Sequence, residues 1–156
     1  MNRAATLEGG AGFEVRTARA EDAVALARLA TELGYPSHAE QIRVRLEALS
    51  SRADHWVGVA TDQAGEVLGW IHVGRSVTLE SGEFAEILGL VVASGARRAG
   101  VGRRLARAAE EWTRSAGFGR ITVRSNVLRP ESHLFYPSLG YARVKSQHVY
   151  VKSLVS

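Results

Sequence analysis

Residues 86–117 read EILGLVVASGARRAGVGRRLARAAEEWTRSAG, and the order of residue types within them decides the fold. Ile87 to Ala93 is an apolar run rich in branched side chains, the length of a buried strand and too short to cross a membrane. Beyond Ser94, Val101, Leu105, Ala108, Ala109, Trp112 and Ala116 recur at three- and four-residue steps, which predicts an amphipathic helix capped by Gly117. Strand, tight loop and helix therefore follow one another. Gly100 and Gly102 fall at the loop-to-helix junction, where N–H groups that lack a helical carbonyl attract anions. Arg97, Arg98, Arg103, Arg104 and Arg107 crowd the positive end of that helix dipole, a conflict that a bound anion removes. Arginine is also the habitual cation of this chain, since only Lys145 and Lys152 of its 20 basic residues are lysine. Charge and glycine alone leave phosphate binding and compositional bias both open.

The same residues carry a resemblance. Arg97-Arg98-Ala99-Gly100-Val101-Gly102 resembles the R/Q-x-x-G-x-G/A loop of the GNAT superfamily of N-acetyltransferases, and it follows a hydrophobic strand and opens a helix as that loop does. A second stretch, Asn126 and then Phe135-Tyr136-Pro137-Ser138-Leu139-Gly140-Tyr141, is similar to the N-x(n)-F-Y-x-x-x-G-F/Y signature late in such chains. Together the two motifs span about Glu83 to Tyr141.

The rest of the chain fits around them. At 156 residues and 46% hydrophobic content it suits one globular domain, expected over 13–156. Met1 to Gly12 is small and polar, without the apolar stretch of a signal peptide, and is expected to be a disordered tail. Cysteine is absent, which excludes a disulfide framework, cysteine metal sites and a covalent cysteine intermediate, and fits a cytoplasmic setting. A net charge of +4 suits either an anionic ligand or nucleic acid. Basic residues form no run outside the loop and no aromatic residues interleave with them there, so neither nucleic acid nor a membrane is expected as a partner.

Along the chain, Phe13 to Ala18 alternates as a first strand, and Asp22 is placed to begin a helix with Leu26, Leu29, Ala30 and Leu33 inward and Gly34 at its end. Ser37 and Glu40 have the spacing of a capping box for a second helix with Ile42, Leu46 and Leu49 inward. Trp56 to Ala60 and Val67 to Val77 read as strands joined by a turn at Asp62-Gln63-Ala64-Gly65. After the central helix come a strand at Ile121-Thr122-Val123, a helix from Pro130 to about Tyr136, and two strands near Tyr141 to Val144 and His148 to Leu154. The order β-α-α-β-β-β-α-β-α-β-β describes a single mixed-sheet α/β domain.

The resemblance implies acetyl-CoA as cosubstrate, with no metal, held where the fourth and fifth strands splay apart. It places the backbone of Leu90, Val91 and Val92 along the pantetheine arm, and the loop Arg97, Arg98, Ala99, Gly100, Val101, Gly102 and Arg103 around the pyrophosphate. Asn126 and His133 fall near the same ligand, and the motif assigns Tyr136 as proton donor to the departing thiolate. An acid at the position of Glu86 serves as general base in some of these enzymes; here it also fits a strand end in solvent. Tyr35, His72 and Glu83 are candidate acceptor contacts by position, and each also fits a structural role. Pro137 departs from the pattern, because proline removes a helical N–H bond beside the proposed acid. The activity implied is transfer of acetyl to a primary amine, of a small molecule first and of a protein lysine or N-terminus second, with a homodimer compatible with the family. A non-catalytic acyl-CoA-binding or regulatory domain is the alternative.

Overall fold

In the computed structural model of the chain, residues 12–155 are described, and they form two units divided after Arg124. The tail expected at the start lies, Gly12 apart, outside the described residues.

The first unit contains β1 (Phe13–Thr17), α1 (Ala23–Glu32), α2 (Ala39–Ser50), β2 (His55–Asp62), β3 (Val67–Thr78), β4 (Gly82–Val92), α3 (Val101–Ser115) and β5 (Ile121–Val123). The strands lie in chain order in one sheet; β1 to β4 are antiparallel neighbours and β5 runs parallel to β4. The β2–β3 turn forms because Asp62 accepts the N–H groups of Ala64 and Glu66 on its carboxylate and that of Gly65 on its carbonyl. The parallel pair needs a crossover, and α3 supplies it.

Each face of the sheet is covered. On one, Leu26 and Leu29 of α1 and Leu46 of α2 pack with Val57, Val59, Val67 and Val91. On the other, the apolar stripe of α3 is buried through Val101, Leu105 and Ala109. Of the arginines grouped at the start of α3, Arg104 is half-buried, with its guanidinium 5.3 Å from the centre of the Phe13 ring. No helix among the described residues is long and apolar enough to cross a membrane.

Two helix starts differ from expectation. A 3-10 turn at Ala20–Asp22 precedes α1, and the Asp22 carboxylate binds Arg16 rather than capping that helix. The capping box of α2 is not formed: the helix begins at Ala39, the Ser37 hydroxyl donates to the Tyr35 carbonyl, and Glu40 pairs with Arg43 one turn on. An exposed arginine at the next turn competes for the same glutamate.

The second unit contains α4 (Pro130–Ser138). The two strands expected after Gly140 are not formed, and residues 142–155 are exposed without regular structure. Their alternation supplies the side chains of a half-buried ladder, yet Val144, Val149, Val151 and Leu154 are 81% to 91% exposed. A strand exists only through its hydrogen-bonded neighbour, and a two-stranded hairpin without an apolar face to bury is marginal in water.

Candidate active site

The site is organised by an edge that β4 leaves open. Its parallel pairing with β5 covers only Ala85 with Ile121, Glu86 with Thr122 and Ile87 with Val123, after which β4 continues to Val92 beside β3 alone. Within this stretch Val73 faces Ile87 while His72 faces Gly89, so Leu88 is an extra residue, a β-bulge. Ala93 N–H donates to the Leu68 carbonyl at 2.8 Å, which sets the alternation of the ladder above the bulge. Counting back, the N–H and C=O of Val91 face Trp70, and those of Leu90 and Val92 point to the open edge. Such an edge is a template for an extended ligand. It is also the separation of fourth and fifth strands that the resemblance implies.

The open edge runs directly into the arginine loop. Ser94–Ala96 makes a 3-10 turn, Arg98 adopts a left-handed conformation at φ 68°, and Gly100 at φ 86° leads into α3. Arg98 is the one non-glycine residue with positive φ among those described, and a side chain held there costs about 1 kcal/mol. No side chain caps α3, and the first loop-to-helix bond is that of Arg104 N–H to the Gly100 carbonyl. The amides of Val101, Gly102 and Arg103 therefore precede the helical ladder, with Arg97, Arg98 and Arg103 exposed beside them. A cavity of about 300 Å³ adjoins this loop, lined by Ala93 to Ala96, by Arg28, Leu29 and Glu32 of α1, and by Glu66 to Leu68.

On the α1/α2 side of the sheet, His55, Gly74 and Glu86 form one cross-strand row. Glu86 is only 13% exposed and accepts the Arg124 guanidinium at 3.1 Å. His72 sits one step along β3 on the same face, with its Nε2 2.9 Å from His55 Nδ1. Burial, and then the charge of His55, push His72 down to about 4, so it is neutral at pH 7. The other two acceptor candidates stand elsewhere: Glu83 is engaged by Arg75, and Tyr35 is exposed at the end of α1, its N–H donating to the Ala30 carbonyl.

His55 and Arg124 were not among the residues singled out by sequence. His55 lies one residue before the strand that alternation marks, and a register shift at Ala60/Thr61 hides its pairing with Gly74.

In the second unit, Asn126 accepts the Leu128 N–H on its side-chain oxygen, so its amide shapes the loop that follows. His133 is exposed on α4. Tyr136 packs edge-on against Phe135 and Tyr141, with ring centres 5.1 and 5.7 Å away. Burial pushes its phenol above the ordinary tyrosine value. Pro137 lies inside α4 without ending it. It stands one residue from the helix end, where the N–H groups of Leu139 and Tyr141 close on the Tyr136 carbonyl and that of Gly140 on Pro137. The helical bond that this proline removes is the one to the His133 carbonyl, one turn back. Among the described residues no three His, Cys, Asp or Glu side chains group as a metal site.

The profile of the Acetyltransferase (GNAT) family matches residues 21–141, and this chain belongs to that family of acyltransferases. Solved structures share its fold. A glucosamine-6-phosphate N-acetyltransferase from Arabidopsis thaliana superposes with a TM-score of 0.78 at 20% identity, over 90% of this chain and 99% of the other. The aminoglycoside 6'-N-acetyltransferase AAC(6')-Ih from Acinetobacter baumannii gives 0.75 at 17% identity, over 93% and 100%. AAC(6')-Iy, in complex with the bisubstrate analogue CoA-S-monomethyl-acetylneamine, gives 0.79 at 15% identity, over 90% and 98%. A search of curated protein sequences finds no match.

Proposed function

We propose that the protein transfers an acetyl group from acetyl-CoA to the primary amine of a small molecule, directly and within a ternary complex. The observation that carries this reading is the open edge of β4, with the outward backbone of Leu90 and Val92, running straight into an arginine-rich, uncapped helix start. An extended arm ending in a pyrophosphate has those two features in that order. The amides from Arg98 to Arg103 and the side chains of Arg97, Arg98 and Arg103 would hold the phosphates. The similarity to a structure containing a CoA bisubstrate analogue, and to enzymes named for amino-sugar acceptors, supports acetyl-CoA and a small amine.

Three chemical needs follow. The amine must lose a proton before it attacks, and Glu86, held by Arg124, is the proposed base. The developing oxyanion meets an outward N–H on β4, that of Leu90 or Val92. The thiolate needs a proton, and the motif gives that role to Tyr136; a phenol raised by burial stays protonated at neutral pH and donates to a thiolate whose acid titrates near ~8.5. Asn126, by the same motif, and His133, by its place on α4, are the further candidates for the cosubstrate, and Tyr35, His72 and Glu83 are candidates for the acceptor by position alone.

Acetyl-CoA is expected to raise the thermal midpoint, because it binds the folded chain. Thiol release is expected with at least one small amine, and Tyr136→Phe should lower kcat by on the order of a hundredfold with little change in the KM for acetyl-CoA. Absence of any midpoint shift at saturating acetyl-CoA would overturn the reading. A shift without thiol release for any amine would favour a binding domain.

A further inference from the structure

The row His55–Gly74–Glu86 has no side chain at its centre, and that vacancy is occupied from one side. A Cβ on Gly74 would lie 2.4 Å from His55 Nδ1, so the imidazole of His55 leans across β3 over the position opposite Glu86. The same Nδ1 faces His72 Nε2, and a contact of 2.9 Å between two ring nitrogens requires one proton between them. His72 Nδ1 and His55 Nε2 are then the two free ends of a short chain of exchangeable protons. Glu86 is the diagonal cross-strand neighbour of His72 on this face, within reach of a long side chain or one water.

Acetylation of an ammonium group by a thioester removes two protons from nitrogen. One ends on the thiolate; the other must reach solvent. Resting on the acetyltransfer reading above, we infer that the His55–His72 pair is the exit for the second proton, carrying it away from Glu86 so that the carboxylate is ready for the next amine.

Each transfer balances. A proton arrives at His72 Nδ1 as the proton on His72 Nε2 crosses to His55 Nδ1, and the proton on His55 Nε2 leaves to water. Three protons move across four ring nitrogens, no charge accumulates on the pair, and water restores the starting tautomers. A His72 that is neutral through the working range suits this, since it passes a proton without storing one beside an ammonium substrate. The surroundings agree. Leu46 and Leu49 of α2 are apolar, Glu86 and its partner Arg124 stand on β4 and after β5, and Asp54 beside His55 is engaged by Arg52. His55 acts through His72 and Glu86 and is a positioning residue rather than a catalytic one.

The test uses the full-length chain with an amine that it acetylates. His55→Asn puts an amide near the place of Nδ1, keeping a hydrogen bond to His72 but unable to relay a proton. Its kcat should fall on the order of tenfold at unchanged KM for the amine, and added imidazole should restore part of the loss. Gly74→Ala, which displaces the His55 ring without removing it, should reproduce the fall. A merely structural histidine pair would shift the thermal midpoint but would not respond to imidazole. Wild-type kcat in both variants across pH 6 to 9, or a loss that imidazole leaves unchanged, overturns the relay alone. Failure of the wild type to release thiol with any amine overturns the acetyltransfer reading and the relay with it.

Discussion

At Asp22 a carboxylate with 7% of its surface exposed receives two guanidinium bonds from Arg16, each 2.8 Å, and the N–H of Arg19 at 2.7 Å. Desolvation pushes its pKa up, but the Arg16 and Arg19 bonds together with the arginine charge outweigh it, and the net displacement is below the ordinary aspartate range. A folded-state value below the unfolded one stabilises the fold fully above that range, and the contribution is lost as pH falls through it toward the folded value. Asp22→Asn should therefore cost about 2 to 4 kcal/mol at pH 7, read from the urea midpoint. The gap between variant and wild type should close as the pH drops below about 4, and a gap independent of pH would contradict the assignment. This pair was not legible in the sequence, because a separation of six residues matches neither helix nor strand periodicity and depends on the 3-10 turn between them. Tyr136 could be proposed from the sequence because it stands at a fixed offset within a motif, and Glu86 because it is an acid leading into an apolar strand. His55 does neither, and its place beside Gly74 and His72 follows only from register.

Among the elements, α3 was read almost residue for residue, since a periodic apolar stripe and a terminal glycine are local signals and here agree with the packing. The start of α2 was misread because two nearby polar residues satisfied a pattern that a third, Arg43, disrupts. The conformation of the loop into α3 makes its own prediction. Gly100 is left-handed at φ 86°, and a Cβ there meets nothing within 4 Å. Gly100→Ala should therefore cost only the conformational strain, about 1 kcal/mol. It should also reduce the acetyl-CoA-induced rise in thermal midpoint more than this cost explains, because relaxing the turn moves the amides of Val101 to Arg103. An unchanged rise would place the phosphates elsewhere.

For the whole molecule, hairpin turns and hydrophobic runs were enough to predict a mixed sheet, and the family resemblance added where it opens. The absence of the last two strands was not legible, because alternation describes a face and says nothing of whether that face is covered. Residues 142–155, exposed and without regular structure, should be cut first by trypsin at Arg143, Lys145 and Lys152, while the sheet of the first unit resists. Early cleavage at the arginines of α2 or α3 would contradict that order. The extra residue Leu88 has a wider consequence. It is a half-period phase slip in the wave of the strand: positions of even number face the α1/α2 side before it, at Glu86, and positions of odd number after it, at Gly89 and Val91. Removing that one residue would join Ile87 to Gly89 opposite Val73 and His72 and leave Leu90 and Val92 facing outward; straightening the strand with Leu88 kept in the ladder would instead turn Val91 to the ligand edge and Leu90 and Val92 away from it. A bulge ironed flat without loss of a residue would leave the composition of the site intact and invert its meaning.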